Sequence, residues 1–440
     1  MLTKDQDLDD DDLPTTIMPA GLPQVAPKRR SLAKDLSGLF RLSTEAVHKT
    51  TEVVEAQHSR LDWFGNLLFS DKGQDKARNP IAAMVYNSIY KINGMVGTSM
   101  EFVVSNVLEP LLGEEAPSQR KEAAIAILNG VVGDYLEAQH NPLAIEMQWR
   151  TLEDSATSTT ATTCSSSSST KKHYLLLIHG SCNSPHDWWQ EGHNHGIAIS
   201  HELDTEVEPL FLQFNTGLHI SENGKRLSQA IQQLVDNNNS PASSEIHISI
   251  IAHSMGGLVT RSACYYASQD EDNDNTSTWI QHLDHLITLG TPHHGAILER
   301  GGKLVDAVLG AHRFTEPLSW LGKIRSDGVM DLGYGNVRDE DWSGHDDHTD
   351  HRQPTPLPSH VRTLAIAAVK GDANNRAIGM IQHLRTDGLV TEDSALGRGH
   401  AANPELNLVF QEHAIFYNLG HIGLLSSLEV YKTMLCFLSS

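Results

Sequence analysis

The sequence is short of cysteine, of long apolar runs and of any apolar N-terminal segment. Four cysteines in 440 residues are too few for a disulfide framework. No uncharged apolar run reaches the roughly 18–20 residues that a membrane-spanning helix needs. The chain begins Met1-Leu2-Thr3-Lys4 and then becomes acidic, so we expect no secretory signal. Together these absences predict a soluble protein in the reducing cytoplasm.

Positive charge is also scarce. The chain has 33 Lys and Arg residues against 55 Asp and Glu residues, which gives a formal net charge of -22. This balance argues against a nucleic-acid partner and would repel anionic lipid headgroups. Much of the acidic charge lies in three runs, at Asp5–Asp12, Asp270–Asp274 and Asp339–Asp350, which we interpret as solvated loops or tails.

Composition divides the chain into three regions. Residues 1–30 are acidic, then proline-containing, then basic, which predicts a disordered tail. Residues 31–141 show apolar positions at helical spacing, including a helix from Ser118 to His140. We expect this helical N-terminal region to pack on the following domain. The alternative is an apolar surface for peripheral contact with a membrane or a partner protein.

Residues 142–440 alternate strands with helices, which is typical of an α/β domain with a mostly parallel sheet. Strands are predicted at Leu143–Trp149, Tyr174–Ile178, Glu208–Phe214, Ile246–Ile251, His285–Leu289, Val361–Ala367 and Leu406–Phe410. Helices are predicted at Gly224–Val235, Met255–Ser268 and Leu424–Leu438.

Two long segments interrupt this alternation. Residues 150–172 are dominated by serine and threonine, which predicts a flexible loop joining strands that are candidates for neighbours in the sheet. Residues 295–360 are too many for a plain connection and include a cluster of apolar residues. They predict a cap inserted over the active site.

A serine between small residues follows the strand Ile246–Ile251. Ser254 lies two residues after Ala252 and two before Gly256, at the junction of a strand and a helix. A nucleophile elbow of the Gly-x-Ser-x-Gly type needs this context, because its sharp turn leaves little room for side chains at those two positions. The Met255 N–H would then point toward a developing oxyanion. A serine that merely caps a helix is the simpler alternative.

A second oxyanion donor is predicted at the end of the first parallel strand, where His179-Gly180-Ser181 begins a loop. Acyl transfer by serine needs two N–H groups that converge on the oxyanion. We assign the second one to the backbone of Ser181, with its neighbour Cys182 as the alternative.

The orienting acid should follow a later strand in the chain. Asp387 is the best candidate, because Gly388 after it lets the loop turn sharply beneath an imidazole. Asp393 is a nearby rival, and Asp327 lies in a similar Ser-Asp-Gly context within the predicted cap.

The general base should be a histidine later still. His421 lies on a glycine-flanked loop just before the last predicted helix, whereas His413 and His400 lack that placement. The order Ser254, Asp387, His421 differs from the orders of the chymotrypsin and subtilisin triads and matches the α/β-hydrolases.

Four segments together resemble the lipase and esterase branch of the α/β-hydrolases, and most closely the GPI inositol-deacylase-like family, including its bacterial members. They are His179-Gly180, Ala252–Gly257, Leu289–Gly295 and Asp387–Val390. The resemblance covers about Tyr174 to Leu438. It implies an α/β-hydrolase fold, a carboxylic-ester hydrolase without an organic cofactor, and catalytic roles for Ser254, Asp387 and His421. Ala252 departs from the usual glycine, and GPI as the substrate does not follow.

Several other histidines lie in or beside these motifs. His179, His253, His293 and His294 are candidates for contact with an acyl ester or lipid substrate, although a rigid turn into the cap explains His293 and His294 equally well. The spacing of His345, His348 and His351 fits no firm zinc pattern, so we predict no metal site.

The motifs do not identify the bond that is cleaved. The same triad would serve a thioesterase or an amidase, since the catalytic residues do not determine the leaving group. A non-catalytic lipid-binding or scaffold module is the alternative from another class of function.

Overall fold

The computed structural model describes residues 118–151, 171–203, 207–238, 245–270, 277–296, 326–344, 350–371, 385–399 and 403–440. The predicted tail at 1–30, most of the helical N-terminal region, most of the Ser/Thr-rich loop and the apolar part of the predicted cap lie outside these residues.

The described residues contain a seven-stranded sheet. Its strands are β1 (Gln148–Arg150), β2 (Lys171–Ile178), β3 (Val207–Gln213), β4 (Glu245–His253), β5 (Leu283–Leu289), β6 (Arg362–Val369) and β7 (Glu412–Tyr417). Their spatial order is β1-β3-β2-β4-β5-β6-β7. The β1 strand is antiparallel to β3, and every other neighbouring pair is parallel.

The central strands are apolar because both of their faces are covered. Successive residues of β2 alternate between two hydrophobic clusters, with Leu176 and Ile178 in one and Leu175 and Leu177 in the other. A strand buried on both faces reads as a continuous apolar run rather than as an alternating one.

Helices pack on both faces of the sheet. They are α1 (Ser118–Ala138), α2 (His195–Leu203), α3 (Ile220–Asn238), α4 (Met255–Asp270), α5 (Asp327–Tyr334), α6 (Glu392–Ala395) and α7 (Leu428–Leu438). The buried residues of α1, α3 and α4 belong to one cluster, and those of α2 and α7 belong to the other. The result is a sheet between two helical layers.

The α1 helix belongs to the core of the sheet. Its residues Ile125, Leu128, Val131 and Leu136 are buried in the same cluster as strands β2, β3 and β4. The described core therefore extends N-terminal to residue 142, where composition alone predicts the domain to start.

The prediction of the last strand is wrong. Residues Pro404–Leu406 form a 3-10 turn, and the strand that pairs with β6 is Glu412–Tyr417. Leu406 and Leu408 are buried while Val409 is 88% exposed, so the segment alternates like a strand without pairing in the sheet. The true strand is only partly buried, which weakens its apolar pattern.

Most of the predicted strand Leu143–Trp149 is not a strand, because its first half is hydrogen-bonded to a side chain of helix α1. The amide of Asn129 on α1 donates to the carbonyl of Leu143 and accepts from the N–H of Ile145, at 2.9 Å in each case. The strand that remains is Gln148–Arg150. It does not neighbour β2, since β3 lies between them.

The end of the chain and part of one acidic run also differ from prediction. Residues Ile422–Leu425 form a separate 3-10 turn, and α7 starts only after Ser427, whose hydroxyl accepts from the N–H of Val430. In the acidic run, Asp341 is buried and its carboxylate accepts from three backbone N–H groups, so it is not a solvated loop residue.

None of the helices in the described part of the chain is long and apolar enough to cross a membrane. The parallel sheet with one antiparallel strand at its edge, crossover helices on both faces and a serine at the turn from β4 into α4 is an α/β-hydrolase fold.

Candidate active site

Ser254 lies at the sharp turn between β4 and α4. Its φ is 53°, in the left-handed region that residues other than glycine rarely adopt. The Ser254 N–H donates to the carbonyl of Leu289 at 2.9 Å, which fixes the turn against the end of β5. A Cβ added at Gly256 would lie 2.5 Å from the carbonyl oxygen of Ile178, so this position requires glycine. Ala252 is fully buried, and its methyl group is accommodated.

Asp387 and His421 are hydrogen-bonded to each other. The Nδ1–H of His421 donates to Asp387 Oδ2 at 2.6 Å. The other carboxylate oxygen accepts from the N–H groups of Leu389 and Val390, at 2.9 and 2.8 Å. The N–H of His421 also donates to the carbonyl of Asp387. With 1% of Asp387 and 5% of His421 exposed, the pair is held in one orientation away from water.

The turn after β5 brings the histidine to the side of the nucleophile. Gly290 has a φ of 57°, and a Cβ there would lie 3.1 Å from His421 Cε1. Ser254 is hydrogen-bonded to the residue before Gly290, and the ring of His253 packs 4.7 Å from the ring of His421. The structure thus places the serine, the acid and the histidine at the carboxyl end of the parallel sheet. In open α/β sheets this is the edge that binds ligands.

The loop after β2 lies directly against the nucleophile. A Cβ at Gly180 would lie 3.0 Å from the Cβ of Ser254. The N–H of Cys182 already donates to Thr216 Oγ1 at 3.1 Å, which leaves Ser181 as the better candidate for an oxyanion donor on this loop. Met255 is the first residue of α4, where backbone N–H groups have no partner within the helix.

Two of the predicted substrate contacts are buried rings. His179 stacks on Phe214 at 4.5 Å and its Nδ1–H donates to the carbonyl of Gly180. Burial lowers the pKa of His179 to about 4, so its ring is neutral. His253 is also buried and packs against His421. The His253 ring thus lies beside the proposed base, and contact with substrate stays a prediction for both His179 and His253.

The Thr-Pro-His-His-Gly turn after β5 is held in place by contacts with helices α4 and α6. His293 is buried with Nδ1 3.4 Å from Arg261 Nη1, and burial followed by the charge of Arg261 lowers its pKa well below the ordinary value. The N–H of His293 donates to the carbonyl of Ser394, and the N–H of His294 donates to the hydroxyl of Ser394. His294 is only partly buried, which makes it the more accessible of the two histidines.

The rival acids and bases lie in other settings. Asp393 pairs with Arg398 at 3.3 Å, with both side chains 44% exposed. Asp327 is the first residue of α5, and His413 is an exposed residue of β7. His400 lies outside the described residues.

The described part of the chain contains no group of three or more His, Cys, Asp or Glu residues that could hold a metal ion. His345 and His348 lie outside that part. The predicted absence of a metal therefore stays a prediction.

Sequence reasoning missed four residues that support the site. Ser394 and Arg261 hold the turn after β5, while Thr216 and Gly130 contact the loop after β2. Gly130 lies on α1, about 50 positions before that loop, and a lone glycine in a helical pattern carries no signal of its contacts.

Comparison with known proteins agrees with a hydrolase site. Residues 168–314 match a protein family described as "Putative serine esterase (DUF676)". This match spans the loop after β2, the nucleophile turn and the turn after β5. None of the curated proteins matches the chain in sequence.

Solved structures of lipases and esterases are similar to parts of the chain. The mature form of Bacillus licheniformis lipase BlEst2 is 18% identical, with 60% of this chain and 92% of that chain covered and a TM-score of 0.37. For its propeptide form the identity is 17%, the coverage 60% and 50%, and the TM-score 0.38, so the match spans half of that chain. EstA from Clostridium botulinum is 13% identical over 62% of this chain and 87% of that chain, with a TM-score of 0.36.

Proposed function

We propose that this protein is a serine hydrolase that cleaves carboxylic esters through an acyl-enzyme, with Ser254, Asp387 and His421 as its triad. The observation that carries the proposal is the 2.6 Å hydrogen bond from His421 Nδ1–H to Asp387. With the proton on Nδ1, the lone pair of Nε2 is free to act as a general base. The left-handed turn at Ser254 lies at the same edge of the sheet.

Each residue has one task in the proposed reaction. His421 takes the proton of the Ser254 hydroxyl as its oxygen attacks the ester carbonyl, and later returns that proton to the departing alcohol. Asp387 keeps the imidazole in the required tautomer and stabilises its charged form. The N–H groups of Met255 and Ser181 bind the oxyanion. Water then hydrolyses the acyl-enzyme by the same steps, so the chemistry needs no cofactor.

We propose an acyl substrate with a substantial apolar chain. The apolar cluster of residues 304–321 in the predicted cap supports this, because such residues are removed from water only when they pack on an apolar surface or ligand. The resemblance to GPI inositol-deacylases places lipid-like esters among the candidates. We further propose that the reaction takes place in the cytoplasm, with the helical N-terminal region as the site of any membrane or protein contact.

A fluorophosphonate probe tests the proposed nucleophile, because only an activated serine reacts with it. We expect labelling of the protein and none of Ser254→Ala, whose kcat should fall by a factor on the order of 10⁶. Ser268→Ala is the matched control, since Ser268 is an exposed serine on α4. Residual activity of Ser254→Ala within about tenfold of the parent would contradict the proposal.

A series of p-nitrophenyl esters, thioesters and anilides then identifies the acyl and leaving groups. We expect kcat/KM to rise from acetyl to medium-chain esters, because each buried CH₂ contributes about 0.8 kcal/mol. Faster turnover of thioesters or anilides would indicate a thioesterase or an amidase. Lipid binding without any labelling of Ser254 would instead indicate a non-catalytic module.

A further inference from the structure

The loop after β2 contains a strained residue that other elements hold in place. Cys182 has a φ of 59°, although it is not a glycine. A left-handed conformation is unfavourable for a residue that carries a Cβ, so it persists only where surrounding contacts enforce it. Cys182 is the residue after Ser181, the proposed oxyanion donor. A shift of Cys182 is therefore transmitted to that donor across a single Cα–Cα link of about 3.8 Å.

Two contacts enforce this conformation. The N–H of Cys182 donates to Thr216 Oγ1 at 3.1 Å, on the loop after β3. The thiol side packs on the backbone of α1 at Gly130, where an added Cβ would overlap Cys182 Sγ and lie 3.0 Å from Cys182 Cα. Cys182 is 3% exposed, and its burial raises the pKa of the thiol to about 11, so it packs as a neutral group.

The same helix also holds the loop that supplies Thr216. The side-chain amide of Asn215 donates to the carbonyl of Gly133 at 2.9 Å. A Cβ at Gly217 would lie 2.7 Å from the N atom of Gly133. Between the two α1 glycines, Val132 departs from helical geometry with a φ of -136°, which shows a kink where the helix crosses both loops. Through these contacts α1 fixes both loops at the proposed oxyanion site.

We propose that Gly130 and Thr216 are positioning residues for the oxyanion hole, and that α1 is thereby part of the catalytic apparatus. Neither residue touches the substrate. Gly130 leaves room for the thiol of Cys182, and Thr216 accepts a hydrogen bond from the Cys182 N–H. Together these two contacts determine the position of the Ser181 N–H relative to Ser254. This inference rests on the proposed serine-hydrolase function and adds an element that lies N-terminal to the residues matching the esterase family.

The first test is a pair of variants measured with p-nitrophenyl butyrate. Gly130→Ala should lower kcat by about 10²-fold, because misplacement by about 1 Å costs that much, while KM changes less than about threefold. Adding Cys182→Ala removes the Sγ atom that the new methyl group would overlap. The double variant should therefore recover to within about tenfold of Cys182→Ala alone. Two residues in contact are expected to be coupled in this way, whereas independent sites would show additive losses.

A second pair tests the hydrogen bond and remains available if Gly130→Ala does not fold. Thr216→Val keeps the shape of the side chain but removes the acceptor, and should lower kcat roughly tenfold or more. Thr216→Ser keeps the hydroxyl and should restore most of the rate. For each variant the inhibition constant of a trifluoromethyl ketone should rise by the same factor by which kcat/KM falls, because the tetrahedral adduct of this inhibitor carries an oxyanion.

Gly224→Ala is the matched control for general damage to the fold. Gly224 is also a helical glycine, on α3, where an added Cβ would overlap the Ser262 hydroxyl instead of the loop after β2. It should lower the melting temperature while kcat per folded molecule changes less than about threefold.

The outcomes separate this inference from the function on which it rests. If the parent protein hydrolyses no ester and Ser254 is not labelled, the proposed function fails. If the parent is active, three results overturn the positioning role. They are unchanged kcat in Gly130→Ala or Thr216→Val, additive losses in the double variant, and an equal loss of kcat in Gly224→Ala.

Discussion

Replacing Asp387 by asparagine tests the orientation of the proposed base. In the parent, one carboxylate oxygen of Asp387 accepts from two backbone N–H groups and the other accepts from His421 Nδ1–H. An asparagine has one carbonyl oxygen, and the two N–H donors retain it on their side. Its NH₂ group therefore faces Nδ1 of His421. Since an NH₂ group can only donate, the imidazole must present a lone pair at Nδ1 and carry its proton on Nε2.

That tautomer blocks the reaction, because Nε2 is the atom that would accept the proton of Ser254. We expect kcat to fall by about 10⁴, which corresponds to about 5.5 kcal/mol in the activation free energy. The fold should survive, because both backbone hydrogen bonds at Asp387 are kept. The assay is the initial rate of p-nitrophenyl butyrate hydrolysis at pH 8, with unfolding curves to count folded protein.

Asp393→Asn is the matched control. Asp393 lies six residues later and pairs with Arg398 at the surface, a kind of pair that contributes about 0–1 kcal/mol. Its kcat should stay within about twofold of the parent. A larger loss in Asp393→Asn than in Asp387→Asn would refute the assignment of the acid, and a loss below tenfold in Asp387→Asn would refute the tautomer argument.

Three further predictions concern packing and pH. Gly256→Ala should lower both the melting temperature and kcat, because its methyl group would press on the Ile178 carbonyl and overpacking costs typically 1–3 kcal/mol. Trp279→Ala should destabilise the fold by about 3–5 kcal/mol in chemical denaturation and leave kcat per folded molecule unchanged, since the fully buried indole lies in the core and bonds to Ser228. Burial alone would lower the pKa of His219, but the hydrogen bond and charge of Asp331, together with the charges of Asp327 and Glu222, outweigh it and raise the pKa above 6.5. The stabilisation from these acidic partners is fully present below pH 6.5 and is lost as pH rises through the raised pKa. The free-energy difference between the parent and His219→Gln should therefore shrink from pH 6 to pH 9, and a constant difference would contradict the argument.

Local patterns predict the nucleophile turn and the parallel strands well. The strand β4, the small residues around Ser254 and the helix after it are adjacent in sequence, so each constrains the others. The loops of Asp387 and His421 stand out for a related reason. Each carries a glycine where the chain must turn, and Gly388 has a φ of 106°.

Contacts between distant segments are what the sequence does not reveal. The many apolar residues of a helix such as α1 predict that it is buried, but not against which element. The seating of Cys182 on Gly130 joins positions 52 residues apart and depends only on the absence of a side chain. The error at Leu406–Phe410 has the same origin. An apolar segment can pack beside a sheet without pairing in it, and only the register of β6 with Glu412–Tyr417 decides which segment is the strand.

The placement of α1 and β1 has a consequence for how this chain can be divided. A cut between residues 151 and 171 would leave all three proposed triad residues on the C-terminal fragment. The N-terminal fragment would carry the helix that seats Cys182 and the strand that pairs with β3. The larger piece would then hold the complete chemistry without the support for its oxyanion loop. Adding the smaller fragment back would restore that support. Complementation of the two fragments could then be measured directly as ester hydrolysis.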